Sequence, residues 1–351
     1  MRLESHTHTP QQGGVFIALL VLLAVGAAAG YWLWHDYQRF QQAPLVLSDE
    51  GINYRIEPGT TLTAIANDLA DKGILRQPLY LRLLARERGD ANRIKAGEYH
   101  IPGGTTATAL LDQLVRGRVI EYSVTLIEGW NFQQVLAAVR THPMIVQTLS
   151  ESLSTEQLME AIGLKGQHPE GQFYPDTYLF PRETTDKEFL QRAYATMQDI
   201  LAEEWQKKDE ELPLKTPYEA LILASIIEKE TGLPEERAEI AGVFTRRLEK
   251  GMLLQTDPTV IYGIDNFDGN IRRTDLKKDT PYNTYTRAGL PPTPIAMPGR
   301  DAIHAALHPA DGKALYFVAT GNGGHYFSAT LKEHNRAVNK YQIQRRKQRS
   351  E

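Results

Sequence analysis

The stretch LILASIIEKETG, Leu221 to Gly232, decides how the chain is read. Its first seven residues, Leu221 to Ile227, are apolar or small, and Glu228, Lys229 and Glu230 follow directly. A helix apolar on every side belongs in a protein interior, so these carboxylates are delivered to the edge of a core. Thr216 is placed to cap the helix, Pro217 suits its first position, and Glu219 stands three after Thr216 as in a capping box, with Gly232 placed to end it. Leu223, Ile226 and Ile227 share the face of Glu230, whereas Glu228 points nearly opposite, so the two carboxylates do not form a pair. The negative end of the helix dipole and burial against isoleucines both disfavour ionisation, and either carboxyl could stay protonated near neutral pH. The competing reading makes both ordinary solvated residues of a last turn.

Working outward, Val15 to Trp34 (VFIALLVLLAVGAAAGYWLW) holds twenty residues without a charge. That is the length needed to cross a hydrocarbon core of roughly 30 Å, and Tyr31, Trp32 and Trp34 suit an interfacial belt. The expected organisation is a short tail over 1–14 and a transmembrane helix over 15–35. A cleaved signal peptide is the alternative, because Ala27 to Ala29 resemble a cleavage site, but the apolar run is long and the basic leader poor. Charge bias across the span is weak, with Arg2 on one side and Arg39 on the other. The chain contains no cysteine, which excludes thiol chemistry and cysteine metal sites. A net charge of −4 leaves no electrostatic footprint for nucleic acid.

Beyond a short linker, strand-like Gly51 to Ile56 precedes PGTTLTAIANDLADKG (Pro58 to Gly73), with Leu62, Ile65, Ala66 and Leu69 at helical spacing. PGGTTATALLDQLVRG (Pro102 to Gly117) repeats the pattern after strand-like Gly97 to Ile101, with Leu110, Leu111 and Leu114 apolar. Two copies are too few for a solenoid, so residues 45–120 are expected to form one small α/β module of two strand-turn-helix halves. From residue 121 to 345 the pattern is that of a larger α+β domain. It contains helices over Asn131–Val139, Thr185–Lys207 and Pro234–Lys250, the last with Ile240, Val243, Phe244 and Leu248 inward. A turn-rich, aromatic stretch from Gly251 to Gly299 is expected to line a groove. The fold class expected is therefore α+β, behind one amino-terminal span.

Several motifs carry a resemblance. The PGTT-to-helix segment with KAGEYHI (Lys95 to Ile101) is similar to the LysM-like domain of bacterial cell-wall proteins. ASIIEKET (Ala224 to Thr231), LQTDPTVIYG (Leu254 to Gly263), YNTY with GLPPTPI (Tyr282 to Ile295), YFV (Tyr316 to Val318) and GGHYF with EHN (Gly323 to Asn335) occur in this order behind the span. From Val15 to about Gln342 the chain resembles the endolytic murein transglycosylase family, membrane-anchored enzymes that cut peptidoglycan strands internally.

The resemblance implies that the second glutamate of EKET, Glu230, is the catalytic acid, with Glu228 a supporting or surface carboxylate. It implies lytic cleavage between N-acetylmuramic acid and N-acetylglucosamine that leaves 1,6-anhydromuramyl ends, acting on nascent strands to limit their length. One carboxyl suffices there, as acid and then base, with a pKa near the working pH. No metal or other cofactor is required. The resemblance also implies a single-pass protein of the bacterial inner membrane, amino terminus cytoplasmic and catalytic domain periplasmic, with peptidoglycan synthases as partners.

Gln255, Asn283, Tyr285 and His325 lie in the family motifs and suit hydrogen bonds to sugar N-acetyl and hydroxyl groups, the alternative being bonds that stabilise loops. Asp257, before Pro258 and Thr259, reads as a helix cap, and it and Glu170 are also counted among the expected sugar-binding groove residues. EGQFYPDTY (Glu170 to Tyr178) also resembles a family segment, its aromatics suited to stack on sugars or to fill a core. His304 and His308 have the i, i+4 spacing of metal ligands, but no HExxH pattern surrounds them. His334 and Asn335 read as part of the fold. Two rival functions stay open: a hydrolytic muramidase using Asp257 or Glu170 as second carboxyl, and a non-catalytic wall-binding scaffold.

Overall fold

The computed structural model describes residues 12–343. Of the amino-terminal tail expected over 1–14, residues 1–11 lie outside the described residues, as do 344 and 345 at the other end. The protein is a mixed helix and sheet structure that divides into two compact units, residues 1–121 and 122–351.

The first unit begins with α1 (Gln12–Gln42), long and apolar enough to cross a membrane, with a mean hydropathy of 2.3 over its most apolar window. Its side chains from Phe16 to Trp34 are exposed, whereas Tyr37 near its end is buried in the unit's core. Strand β1 (Ile52–Ile56) pairs antiparallel with β2 (Gly97–Ile101), Tyr54 opposite Tyr99. Each strand leads through a Pro-Gly turn to a threonine-capped helix. Thr61 accepts a hydrogen bond from Ala64 N at the start of α2 (Leu62–Asp71), and Thr106 one from Ala109 N at the start of α4 (Ala107–Arg116). Gly117 closes α4 with φ 68°, which a residue without Cβ adopts freely. The apolar positions read from the sequence, Leu62, Ile65, Ala66, Leu69, Leu110, Leu111 and Leu114, are all buried. An additional helix, α3 (Pro78–Glu87), stands between the two halves and buries Leu81, Leu84 and Ala85.

In the second unit β3 (Glu121–Thr125) pairs with β4 (Thr177–Pro181). Around them α5 (Phe132–Thr141), α6 (Thr155–Ala161) and the first half of α7 (Asp186–Gln206) enclose a core containing Phe132, Phe173, Phe180 and Phe189. Phe173 and Tyr178 of the EGQFYPDTY segment are thus core residues, not a sugar-stacking surface.

The other core is built on α8 (Pro217–Glu230), where every residue from Ala220 to Ile227 is buried. It packs against α7, α9 (Pro234–Glu249), α10 (Asp257–Tyr262) and α11 (Arg300–Leu307). The one polar residue in that run, Ser225, is satisfied: its hydroxyl donates to Ile222 O and accepts from Ile295 N. Two details differ from the sequence reading. Thr216 caps α8, but Glu219 reaches back to Lys215 N rather than to the cap residue, so no capping box closes. The helix ends because Thr231 turns extended, with φ −146°, its hydroxyl accepting from Leu233 N just before Pro234 opens α9; Gly232 is not the stop. A hairpin of β5 (Tyr316–Ala319) and β6 (His325–Ser328), with Phe317 opposite Phe327, and α12 (Leu331–Val338) complete the unit.

Candidate active site

The end of α8 delivers Glu228 and Glu230 to different surroundings. Glu228 is 7% exposed; it accepts a hydrogen bond from Gly299 N at 3.0 Å and lies 3.9 Å from Arg237. Burial raises its carboxyl above the ordinary range. Glu230 opens instead into a cleft of about 510 Å³, walled by the start of α10, Tyr285, the β5–β6 hairpin and α12. Its Oε1 accepts the hydroxyl of Thr256. Burial pushes the Glu230 carboxyl up to about 7; the Thr256 hydroxyl and nearby His325 pull it down, and Asp257 pushes it up. Desolvation dominates because the isoleucine-rich helix end offers the ionised form little but one hydroxyl.

Thr256 is held by threonines behind the cleft. Its N–H donates to Thr284 Oγ1 at 3.1 Å, and its carbonyl accepts from Thr259 Oγ1 at 2.8 Å, the two hydroxyls lying 2.9 Å apart. All three residues are buried. Thr256, Thr259 and Thr284 stand inside the quoted LQTDPT and YNTY motifs, yet nothing in their spacing singles them out.

Four of the expected groove residues line this cleft: Gln255, Asp257, Tyr285 and His325. Gln255 is held at φ 50°, a left-handed conformation uncommon for a side-chain-bearing residue, by the bond from its N–H to Thr284 O. Asp257 is not the helix cap. Thr256 holds that position, and the Asp257 carboxylate accepts the Tyr285 hydroxyl at 2.6 Å. Burial, then Asp257, raises the Tyr285 phenol. His325 is fixed by Glu236, whose two carboxylate oxygens take its backbone N–H and its Nδ1, each at 2.7 Å.

Two expected groove residues do not line the cleft. Asn283 is fully buried; its amide donates to the carbonyls of Asp275, Leu276 and Lys278 and its oxygen accepts from Tyr285 N. It shapes the loop that carries Tyr285. Glu170, 4% exposed, accepts Phe132 N and the Tyr262 hydroxyl, both at 3.0 Å, and burial pushes its carboxyl up to about 7. It ties α5 to α10 from within.

Other residues join the cleft without having been expected there. Arg247 is buried on α9 and donates to the carbonyls of Leu253, Leu254 and Leu315, its guanidinium 5.0 Å from the Tyr316 ring centre. It falls on the same face as Ile240, Val243 and Phe244, and an arginine at an apolar position was the signal that could have found it. His334 stacks on Tyr316 at 5.2 Å, and burial, then the Arg247 charge, lowers its pKa. Together with Asn335 it lines the cleft rather than only serving the fold.

Away from the cleft, ligand atoms of Glu204, His304 and His308 gather within 4.8 Å. The Arg300 guanidinium already pairs with Glu204, at 2.7 Å, and neutralises the carboxylate a cation would need.

A model of the YceG-like family matches residues 54–340. The chain belongs to the YceG-like family. A Bacillus subtilis protein named endolytic murein transglycosylase is 32% identical to this YceG-like chain over 306 residues, 83% of this chain and 84% of that protein. A Streptococcus pneumoniae protein of the same name is 27% identical over 92% of this chain, which spans 64% of the pneumococcal protein's length. Among solved structures, a YceG-like protein from Listeria monocytogenes matches 82% of this chain and 99% of its own, with TM-score 0.52 and 28% identity.

Proposed function

We propose that this chain is a lytic transglycosylase that cleaves peptidoglycan glycan strands internally, with Glu230 as acid and then base. The observation that carries the reading is the Glu230 carboxyl, raised by burial to about 7 at the cleft floor and held by one hydroxyl. A group with its pKa near the working pH can both give and take a proton. The family relationship supports the substrate, since the relatives are named endolytic murein transglycosylases.

In this mechanism protonated Glu230 donates to the oxygen joining N-acetylmuramic acid to N-acetylglucosamine, and the C1–O bond breaks. The muramyl C6 hydroxyl attacks C1, and its proton passes to the Glu230 carboxylate, which restores the acid. A 1,6-anhydromuramyl end results, and no water is consumed. Thr256 stabilises the transient carboxylate, and His325, held by Glu236, adds a polar group on the same cleft. Gln255, Asp257 and Tyr285 are proposed to bind the sugars; Asn283 and Glu170 serve by shaping the walls. Asp257 shares the cleft with Glu230, which favours one second reading: hydrolysis with Asp257 activating water.

Mass spectrometry of digested glycan separates the two readings, because lytic products are lighter by one water. Glu230→Gln tests the acid, and undiminished cleavage by that variant would sink the assignment.

The same reading makes α1 a single-pass anchor in the inner membrane, with the amino terminus cytoplasmic and the catalytic unit periplasmic. A reporter fused after Arg39 that is active only in the cytoplasm would overturn it. The first unit, with its two Pro-Gly turns and threonine-capped helices, is proposed as a LysM-like glycan-binding module. Action on nascent strands to limit their length, beside peptidoglycan synthases, completes the proposal.

A further inference from the structure

The first unit carries an apolar and basic stripe that the cleft does not use. On α3, Leu79, Arg82, Leu83 and Arg86 follow one another at i, i+3, i+4 and i+7 and share a face. Leu79 is 62% exposed and Leu83 40%, and both arginines are exposed. The opposite face, with Leu81, Leu84 and Ala85, is buried in the core. Val46, also exposed, lies beside Arg39 and Arg76 in a groove along the end of α1. Among the described residues, none of these four arginines makes an ion pair.

The position of α3 along α1 says what this stripe faces. Tyr31, Trp32 and Trp34 mark where α1 meets a membrane interface. At 1.5 Å per residue, Asp36 to Phe40 follow Trp34 by only about 3–9 Å. These are the residues that α3 grips: Tyr80 donates to Asp36 at 3.1 Å and packs edge-on against Tyr37 and Phe40, and Glu87 accepts the Tyr37 hydroxyl at 2.5 Å. Tyr80 and Glu87 are two turns apart on α3 yet meet the same turn of α1, so the helices cross. Further along α1, Gln41 O accepts the hydroxyl of Thr108 on α4. Thus α3 meets α1 nearer Trp34 than the Thr108 bond of α4 does, and its exposed stripe lies opposite its buried face.

We infer that α3 lies on the bilayer that α1 spans, with Leu79 and Leu83 in the headgroup and acyl boundary and Arg39, Arg76, Arg82 and Arg86 at anionic lipid headgroups. Amphipathic helices with this division of residues settle roughly 5–10 Å into that boundary. Two attachments, a span and a surface helix, would hold the first unit at a set height and tilt rather than leave it on a swivel.

The inference rests on α1 being an anchor, and the test separates the two. The chain has no cysteine, so single substitutions Leu79→Cys and Leu83→Cys, at exposed positions, accept an environment-sensitive fluorophore without background. The full-length protein is reconstituted in vesicles of phosphatidylethanolamine and phosphatidylglycerol, and resistance to carbonate extraction establishes anchoring separately. The expected result is blue-shifted emission at both positions, lost to lipids spin-labelled near the top of the acyl chain and protected from aqueous iodide. Adding Arg82→Glu and Arg86→Glu should restore iodide access. Quenching by iodide but not by lipid in an anchored protein would overturn the inference. Shielding from both quenchers would also overturn it, because a protein would then cover the stripe.

Discussion

Replacing Glu230 by glutamine should make the catalytic unit more stable above neutral pH and leave it nearly unchanged in acid. The side chain keeps its shape and an oxygen to accept the Thr256 hydroxyl, so the perturbation is the loss of a titrating group. In the folded protein burial raises the carboxyl from 4.5 to about 7. A group whose folded pKa is raised contributes stability that is fully present below the unfolded value and is lost as pH rises through the folded one. The parent therefore gives up stability between about 4.5 and 7. At about 1.36 kcal/mol per pH unit, that rise corresponds to about 3 kcal/mol, or about 2 after allowing for the partial exposure of the side chain. For a unit of this size, about 2–4 °C of melting temperature accompanies each kcal/mol, so the variant should melt about 4–8 °C higher on the alkaline side. Thermal or urea unfolding of parent and variant, each followed on both sides of neutrality, reads the difference directly. Glu170, also raised to about 7, is common to both proteins and cancels. A variant-minus-parent difference that stays constant with pH would refute the claim that burial holds Glu230 protonated, and with it the physical basis for an acid at neutral pH.

Thr256→Val removes the hydroxyl that, among the described residues, donates to Glu230, so the alkaline limb of the pH profile of kcat/KM should move up by about one to two units, one hydrogen bond to a charged group contributing roughly 1.5–3 kcal/mol; a limb that moves down contradicts the assignment. Leu223→Ala, at a fully buried position of α8, should cost about 2–5 kcal/mol in urea unfolding, and a loss below one would mean that the helix is not the centre of its core. Gly242→Ala should cost about 1–3 kcal/mol, because a Cβ there would stand 2.4 Å from the backbone oxygen of Ala310, which Arg246 also holds; an unchanged melting temperature would show that the loop can yield.

Much of the architecture was legible because it depends on local periodicity. The uniform apolarity of Leu221 to Ile227 marked a buried helix, and the leucines after the two Pro-Gly turns marked helix faces that do point inward. Helix α3 escaped because QPLYLRLLARE mixes arginines into its apolar positions, the composition suited to two different surroundings on opposite faces. The stop of α8 was misassigned for a related reason: a glycine near a helix end suggests a left-handed cap, but Pro234 and the Thr231 hydroxyl imposed an extended exit first.

By itself, then, the sequence determined that a carboxyl-bearing helix end emerges from a core and that Glu228 and Glu230 part company there, since 3.6-residue periodicity sets directions within one element. Which polar residues share the cleft was decided only by tertiary structure. The partners are far apart in the chain: Thr256 stands 26 residues from Glu230, Glu236 89 from His325, and Tyr262 92 from Glu170. Asn283 and Glu170 look as suited to sugars as Gln255 or Tyr285, yet the backbone groups that satisfy them draw them inside. Thr256 and Arg247 look ordinary and come to line the cleft. The raised pKa of Glu230 belongs to the same category, because desolvation depends on what closes over a side chain, and that is assembled from loops no local pattern connects.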